Sequence, residues 1–275
     1  MCGLEGGEVC GLEGGEMRAT STVIAVEVTR VERAVRARIG RWPYEPDVAH
    51  LVLLDHQMVP SREHLAAWIE QARSSGCRTL RTGALFPTSI GPFLDAGFAT
   101  IDELALLETR LDRTASGKTR TGPMSNRRTA DGRHIRARPL RSRHLDDAAT
   151  IDRRAFETPW GNDRPALADI LHATPACRAR SISLDRVMAG FAITGVADRS
   201  GYLQRLAVDP TAQRHGLGRT LVADSLEWMQ RRGATTAMVN TAFDNTAALT
   251  LYESFGFRRR DDSLLILELR LDARA

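Results

Sequence analysis

The sequence predicts an α/β protein: a mixed, largely antiparallel sheet flanked by helices, with a second, degenerate copy of the same plan ahead of it. Three observations point there. Strand-like and helix-like apolar periods alternate, but the strands come in hairpins, not in strict βαβ order. The two parts of the chain repeat the same landmarks in the same order. One strand also runs into a helix through a loop of glycine and arginine, "AVDPTAQRHGLGRTLVA" at residues 207–223.

Composition narrows the class. The chain has 275 residues, 43% of them hydrophobic, which is ordinary for a globular protein of more than one average domain. No run approaches the roughly 18–20 consecutive apolar residues of a membrane span. The four cysteines, Cys2, Cys10, Cys77 and Cys177, form no CxxC pair and suggest neither zinc nor a disulfide framework. His50, His56 and His64 lack ligand spacing, so no metal is expected. The net charge is +4, and the basic residues, all arginine but Lys118, are spread along the chain. No nucleic-acid surface and no membrane contact follow from that pattern. A cytoplasmic protein with reduced thiols is expected.

The chain divides at two points. Residues 1–16 hold "CGLEGGE" twice and read as a disordered tail, or as a start assigned ahead of Met17. Residues 114–131, "TASGKTRTGPMSNRRTAD", have linker composition. The expected units are therefore residues 17–113 and residues 132–275.

In the first unit, a strand at 50–56 leads into a helix near 61–75. In the second, a strand at 134–139 precedes helices around 144–156 and 165–172. Strands follow at 177–184, 186–196 and 201–208, with turns marked by Asp185 and by residues 198–201. A helix over 217–232 turns Leu221, Leu226, Trp228 and Met229 inward. A strand at 236–241, a helix at 246–254 and last strands at 257–259 and 263–271 complete it. Residues 67–111 and 227–271 both read helix, Gly, strand, loop, short helix, Gly-Phe, strand. Trp68 matches Trp228, Gly76 matches Gly233, and Gly97-Phe98 matches Gly256-Phe257.

The junction at 207–223 carries the chemistry. A helix start leaves its first amides without partners and is the positive end of the helix dipole. Glycine lets that backbone approach a ligand closely. Gln213, Arg214, His215, Gly216, Leu217, Gly218 and Arg219 therefore read as a phosphate or pyrophosphate cradle, to which the arginines add charge-assisted contacts.

The wider pattern, Gln213-x-x-Gly216-x-Gly218 after a strand ending in Val208-Asp209-Pro210, resembles the acetyl-CoA signature of the GNAT superfamily of N-acetyltransferases. "DNTAALTLYESFGF", residues 244–257, resembles that superfamily's second signature. Within it, "AFETPW" (155–160), "AGFAITGV" (189–196) and "LAVDPTAQRHGLGRTL" (206–221) are similar to the bacterial ribosomal-protein alanine N-acetyltransferases. The resemblance implies direct transfer of an acetyl group from acetyl-CoA to a primary amine of a small molecule or protein. It gives the backbone of Leu206, Ala207 and Val208 to the pantetheine arm and thioester, Asn245 to the cofactor arm, and Tyr252 the proton for the departing thiolate. Two features depart from that family. Asn240 stands where it has a glutamate base, and "RRRDD", 258–262, replaces its aromatic-rich loop. An acidic residue acting through water is expected in the glutamate's place; Glu157 and Asp244 are the candidates, and either reads more readily as a solvated surface carboxylate or a cap. An acetyl-CoA-binding pseudoenzyme or regulatory interaction protein is the alternative reading.

The first unit lacks the cradle. No glycine occurs between Leu51 and Ser75, and Leu94 stands at the position of Tyr252. A copy that packs on the active one, mimics a dimer and walls the acceptor site is expected. The protein is then a monomer with internal domain pairing, or a weak homodimer.

Overall fold

The computed structural model describes residues 22–24, 35–54, 58–111, 127–128, 134–135, 137–156 and 158–271. The repeated tail, most of the expected linker, His56 and Glu157 lie outside the described residues.

The first half runs β1 (Thr22–Ile24), β2 (Ala37–Trp42), β3 (Glu45–Leu53), α1 (Arg62–Ser74), β4 (Thr79–Thr82), α2 (Pro87–Asp95) and β5 (Ala99–Arg110). Two short pairings follow, β6 (Arg127–Arg128) with β7 (His134–Ile135), then β8 (Arg138–Pro139). The second half continues with α3 (Leu145–Ala155), α4 (Arg164–Ile170), β9 (Ala176–Leu184), β10 (Val187–Ala197), β11 (Ser200–Val208), α5 (Leu217–Arg231), β12 (Thr236–Ala242), α6 (Thr246–Glu253) and β13 (Arg258–Arg270).

One sheet joins both halves, in the order β1-β2-β3-β4-β13-β5-β12-β11-β10-β9-β8. The two halves exchange their last strands. β5 lies antiparallel to β12, from Thr236↔Arg110 to Ala242↔Leu104. β13 lies antiparallel to β4, from Glu268↔Arg81 to Arg270↔Thr79. The exchanged strands pair with each other at the centre.

The duplicated landmarks have a common geometry. Gly76, Gly97, Gly233 and Gly256 follow helices with φ of 74°, 89°, 86° and 82°, the left-handed conformation that ends a helix at little cost only for glycine. Phe98 and Phe257 are buried just beyond their glycines. Helix α1 buries Leu65, Trp68 and Ala72, and α5 buries Leu217, Leu221, Trp228 and Met229. Their cores lie on the same face of the sheet, since Ala105 belongs to one and Leu267 to the other at matching parity on paired strands. Helices α3 and α4 cover the opposite face of the second half through Phe191, Ile193 and Ala207.

Two expectations are corrected. The last strands expected at 257–259 and 263–271 are one strand, β13, with a register shift between Arg259 and Ser263. The exposed "RRRDD" run belongs to this strand, and Arg260 there pairs with Glu108 and Asp262. The strand expected at 134–139 is split, because β7 pairs with β6 whereas β8 joins the main sheet beside β9. No described helix is long and apolar enough to cross a membrane.

Candidate active site

The site begins where two parallel strands part. β11 and β12 pair only at Ser200↔Thr236, Gly201↔Ala237 and Tyr202↔Met238. Just beyond, β11 carries a bulge: Ile193 of β10 opposes Arg205 and Thr194 opposes Leu203, so Gln204 is the extra residue. A bulge bends its strand and increases its twist, which turns the end of β11 away from β12. Asp209 gives its N–H to Ala189 on the β10 side. Residues alternate along a strand, so Leu206 and Val208 present their backbone groups to the gap and Ala207 turns toward β10.

Helix α5 starts at the wide end of this gap. Its N-cap is Gly216, left-handed at φ 78°, with no side-chain capping bond. Arg214 is also left-handed, at φ 64°. Thr220 is the first helical amide to find a backbone acceptor, Gly216 O at 3.0 Å. Among the described residues the amides from Arg214 to Arg219 have none. A Cβ on Gly216 would meet nothing within 4 Å, so a side chain there would project into the open space before the amides. Gly218 sits against α6, where a Cβ would lie 3.3 Å from Leu251 Cδ2. Free amides, a dipole end and adjoining arginines fit a pyrophosphate.

The sequence-predicted residues divide into two groups. Leu206, Val208, Gln213, Arg214, Gly216, Leu217, Gly218, Arg219, Asn245 and Tyr252 line one cavity. Ala207 and His215 do not. Ala207 is buried against α3, and His215 Nδ1 donates to Gln213 O at 2.8 Å, folding onto its own loop. Arg219 reaches α6, donating to Ser254 Oγ at 2.8 Å and lying 4.8 Å from the Phe255 ring. Asn245 caps α6, its Oδ1 accepting from Ala248 N–H at 3.0 Å, which leaves its NH2 free to donate. Tyr252 is buried with its ring 5.8 Å from Phe257. Burial pushes its phenol up to about 12, against the opposing effect of the Arg205 guanidinium, so it stays protonated at neutral pH. Asn240 lines the cavity on β12, whereas Asp244 does not.

On the opposite face of the sheet the cavity continues over the first half, for a total volume of about 2,020 Å³. There Arg205 grips the fully buried Asp152 with two hydrogen bonds of 2.7 and 2.6 Å and stacks 3.5 Å from the Phe156 ring. The first half reaches across to the α3–α4 segment. Trp42 Nε1 donates to Pro159 O at 2.9 Å, its ring meets Trp160 edge-on at 5.7 Å, and Arg38 pairs with Asp169 at 3.2 Å. His50 opens partly onto this cleft under Trp42. Burial first, then the Arg38 and Arg81 charges, push it down to about 3, so it is neutral.

Sequence reasoning had not singled out Trp42, Asp102, Asp152 or Arg205, and had named His50 only as lacking ligand spacing. Alternation along β5 puts Asp102, Leu104 and Leu106 on one face, but which half that face serves depends on the strand exchange. Among the described residues no group of three or more His, Cys, Asp or Glu could hold a metal ion.

Comparison with known proteins places this arrangement. Residues 145–257 match the model of the acetyltransferase (GNAT) family. The ribosomal protein bS18-alanine N-acetyltransferase of Escherichia coli is 35% identical over 120 residues, covering 43% of this chain and 77% of that protein. Its Salmonella typhimurium counterpart is 34% identical over 124 residues, with the same coverage. Among solved structures, a tandem GNAT protein from the clavulanic acid biosynthesis pathway shares the fold, with a TM-score of 0.57 at 15% identity, over 90% of this chain and 82% of that chain.

Proposed function

The chain belongs to the acetyltransferase (GNAT) family, and we propose that the parted strands β11 and β12 divide its cavity into an acetyl-CoA side and an acceptor side. The protein is an acetyl-CoA-dependent N-acetyltransferase, acting on a primary amine. The acceptor we infer carries an apolar or aromatic body, on a small molecule or at a peptide N-terminus, because Trp42, Phe156, Trp160, Leu104 and Leu106 line that side.

The acyl donor, when bound, supplies an activated acetyl group as a thioester. The uncapped amides from Arg214 to Arg219, with the Arg214 side chain, hold the pyrophosphate. The gap-side backbone of Leu206 and Val208 takes the ladder bonds that β12 leaves open, and so aligns the donor arm and polarises the thioester oxygen. Asn245 donates to the arm from its free NH2. Tyr252 stands at the leaving sulfur. Its phenol holds its proton more tightly than a thiol does, so the proton moves as a relay: the hydroxyl gives one to sulfur while taking one from the attacking nitrogen.

The exchange of last strands within one chain supports a monomer, and the free thiols Cys77 and Cys177 suit the reducing cytoplasm. The observation that carries this reading is the uncapped helix start at the mouth of the β11–β12 gap. Incubation with acetyl-CoA and either trialanine or tyramine should release CoA thiol in proportion to acetylated amine. Binding of acetyl-CoA without thiol release for either amine would overturn it.

A further inference from the structure

The acceptor side needs a group to receive a proton, and Asn240 carries none. Four carboxylates line the cavity among the described residues: Asp102, Asp163, Asp169 and Asp198. Three are spent or misplaced. Asp163 caps α4, accepting from Ala166 N–H at 2.9 Å. Asp169 is paired with Arg38. Asp198 sits in the exposed β10–β11 turn, at the closed end of the strand gap.

Asp102 differs. It lies on β5, the strand lent by the first half, directly opposite Ile266 of β13. It shares a face with Leu104 and Leu106, which pair with Ala242 and Asn240 at the gap. Its Oδ1 accepts from Glu103 N–H at 2.8 Å, and among the described residues it has no ion pair. The part-buried cations on this sheet face are engaged, Arg81 with Glu45 and Glu268, Arg38 with Asp169 and Arg205 with Asp152, whereas Arg36 and Arg270 on the same face are exposed. His50, also on this face, is held neutral by burial first and then by the Arg38 and Arg81 charges. A half-buried carboxylate without a counter-charge, on an apolar floor, is a receptor for a cation.

We propose that Asp102 is the catalytic base of the second half's reaction, supplied by the degenerate half in place of the missing glutamate. The proposal rests on the acetyl-transfer reading above. The acceptor enters as an ammonium and pairs with Asp102, which takes one proton. The nitrogen lone pair forms the N–C bond, the C–S bond breaks, and a second nitrogen proton passes through Tyr252 to the sulfur. The third stays on the amide. CoA leaves as the thiol, and Asp102 returns its proton to water.

The test uses the full chain with trialanine and tyramine as acceptors. Asp102→Asn should lower kcat/KM by about 100-fold, abolish the acidic limb of its pH profile, and leave acetyl-CoA affinity within twofold of the parent. The double variant Asp102→Asn/Asn240→Glu should regain activity together with an acidic limb, because it restores a carboxylate to the gap. A merely structural Asp102 would predict a lowered melting temperature and no rescue from position 240. Turnover of Asp102→Asn within threefold of the parent, with the acidic limb intact, overturns the proposal and leaves the acetyltransferase reading standing. A parent chain that binds acetyl-CoA yet acetylates neither amine overturns both.

Discussion

The two halves of the sheet are built on one plan and differ at the junction of their parallel strands. In the first half, β3 and β4 pair from Val48↔Thr79 to Leu51↔Thr82, and Gly83 N–H extends the ladder to Leu51 O at 2.8 Å. In the second, β11 and β12 part after three pairs. Helix α1 is closed by a capping box: Ser61 Oγ accepts from His64 N–H, and His64 Nδ1 accepts from Ser61 N–H. Helix α5 opens on Gly216 with no cap. The structure puts Phe93, not Leu94, at the position of Tyr252: Phe98 N–H bonds to Phe93 O as Phe257 N–H bonds to Tyr252 O, and both rings are buried against the following phenylalanine, but only Tyr252 carries a hydroxyl. The first half satisfies its own backbone. The second leaves strand groups and helix amides without backbone partners, at a cost in local stability.

The largest expected effect concerns the exchanged strands. A fragment from residue 132 to the end lacks β5, which fills the space between β12 and β13. Two copies can restore that pattern by each placing β13 against the partner's β12, since the exchange is reciprocal. Light scattering should give a dimer for the fragment and a monomer for the full chain, with acetyl-CoA binding retained in both. A monomeric fragment with the parent's melting temperature would show that the halves do not depend on each other.

Gly216→Glu should come next. It places a side chain and a negative charge before the open amides, and acetyl-CoA binding should be lost by calorimetry. The matching change in the first half, Ser61→Ala, should leave that affinity untouched. Equal loss from both changes would mean that the junctions are not functionally distinct.

Tyr252→Phe should lower turnover by about 10²–10⁴-fold while acetyl-CoA affinity holds. Because the phenol is raised to about 12, its ionisation should remove no activity between pH 6 and roughly 10, where an ordinary tyrosine begins to titrate. An activity loss near pH 10 that disappears in Tyr252→Phe would place the hydroxyl in a more solvated setting than its burial implies.

The smallest effect is the stability cost of Ser61→Ala, about 1 kcal/mol for a lost N-cap. A denaturant melt should show it as a lower midpoint at unchanged slope. No loss would mean that the capping box adds little to α1, and the contrast with the uncapped α5 would then concern α5 alone.

Local pattern carried much of this protein. The glycine-and-arginine loop, the Gly-Phe helix ends and the inward stripe of α5 are set by short-range sterics and by periodicity, and each is legible within a dozen residues. So were the glycine start of α5, the cap at Asn245 and the aromatic at Tyr252. The absence of the family's glutamate at position 240 was equally plain. Which strand lies beside that position was not, because strand pairing is decided by contacts more than a hundred residues apart. Nothing in the run from Ala99 to Arg110 says that it lies beside β12 and not beside β4. Nothing in "RRRDD" marks it as the start of a strand that continues to Arg270. The pairing of β5 with β12 sets Leu104 and Leu106 opposite Ala242 and Asn240, one strand from the gap, with Asp102 next along the same face opposite Ile266. The cross-half contacts of Trp42 and Arg38 then tie the first half to the α3–α4 segment. Ladder hydrogen bonds are the same for any strand of suitable length, so the choice of partner falls to the packing of both halves at once, and only the tertiary structure makes it.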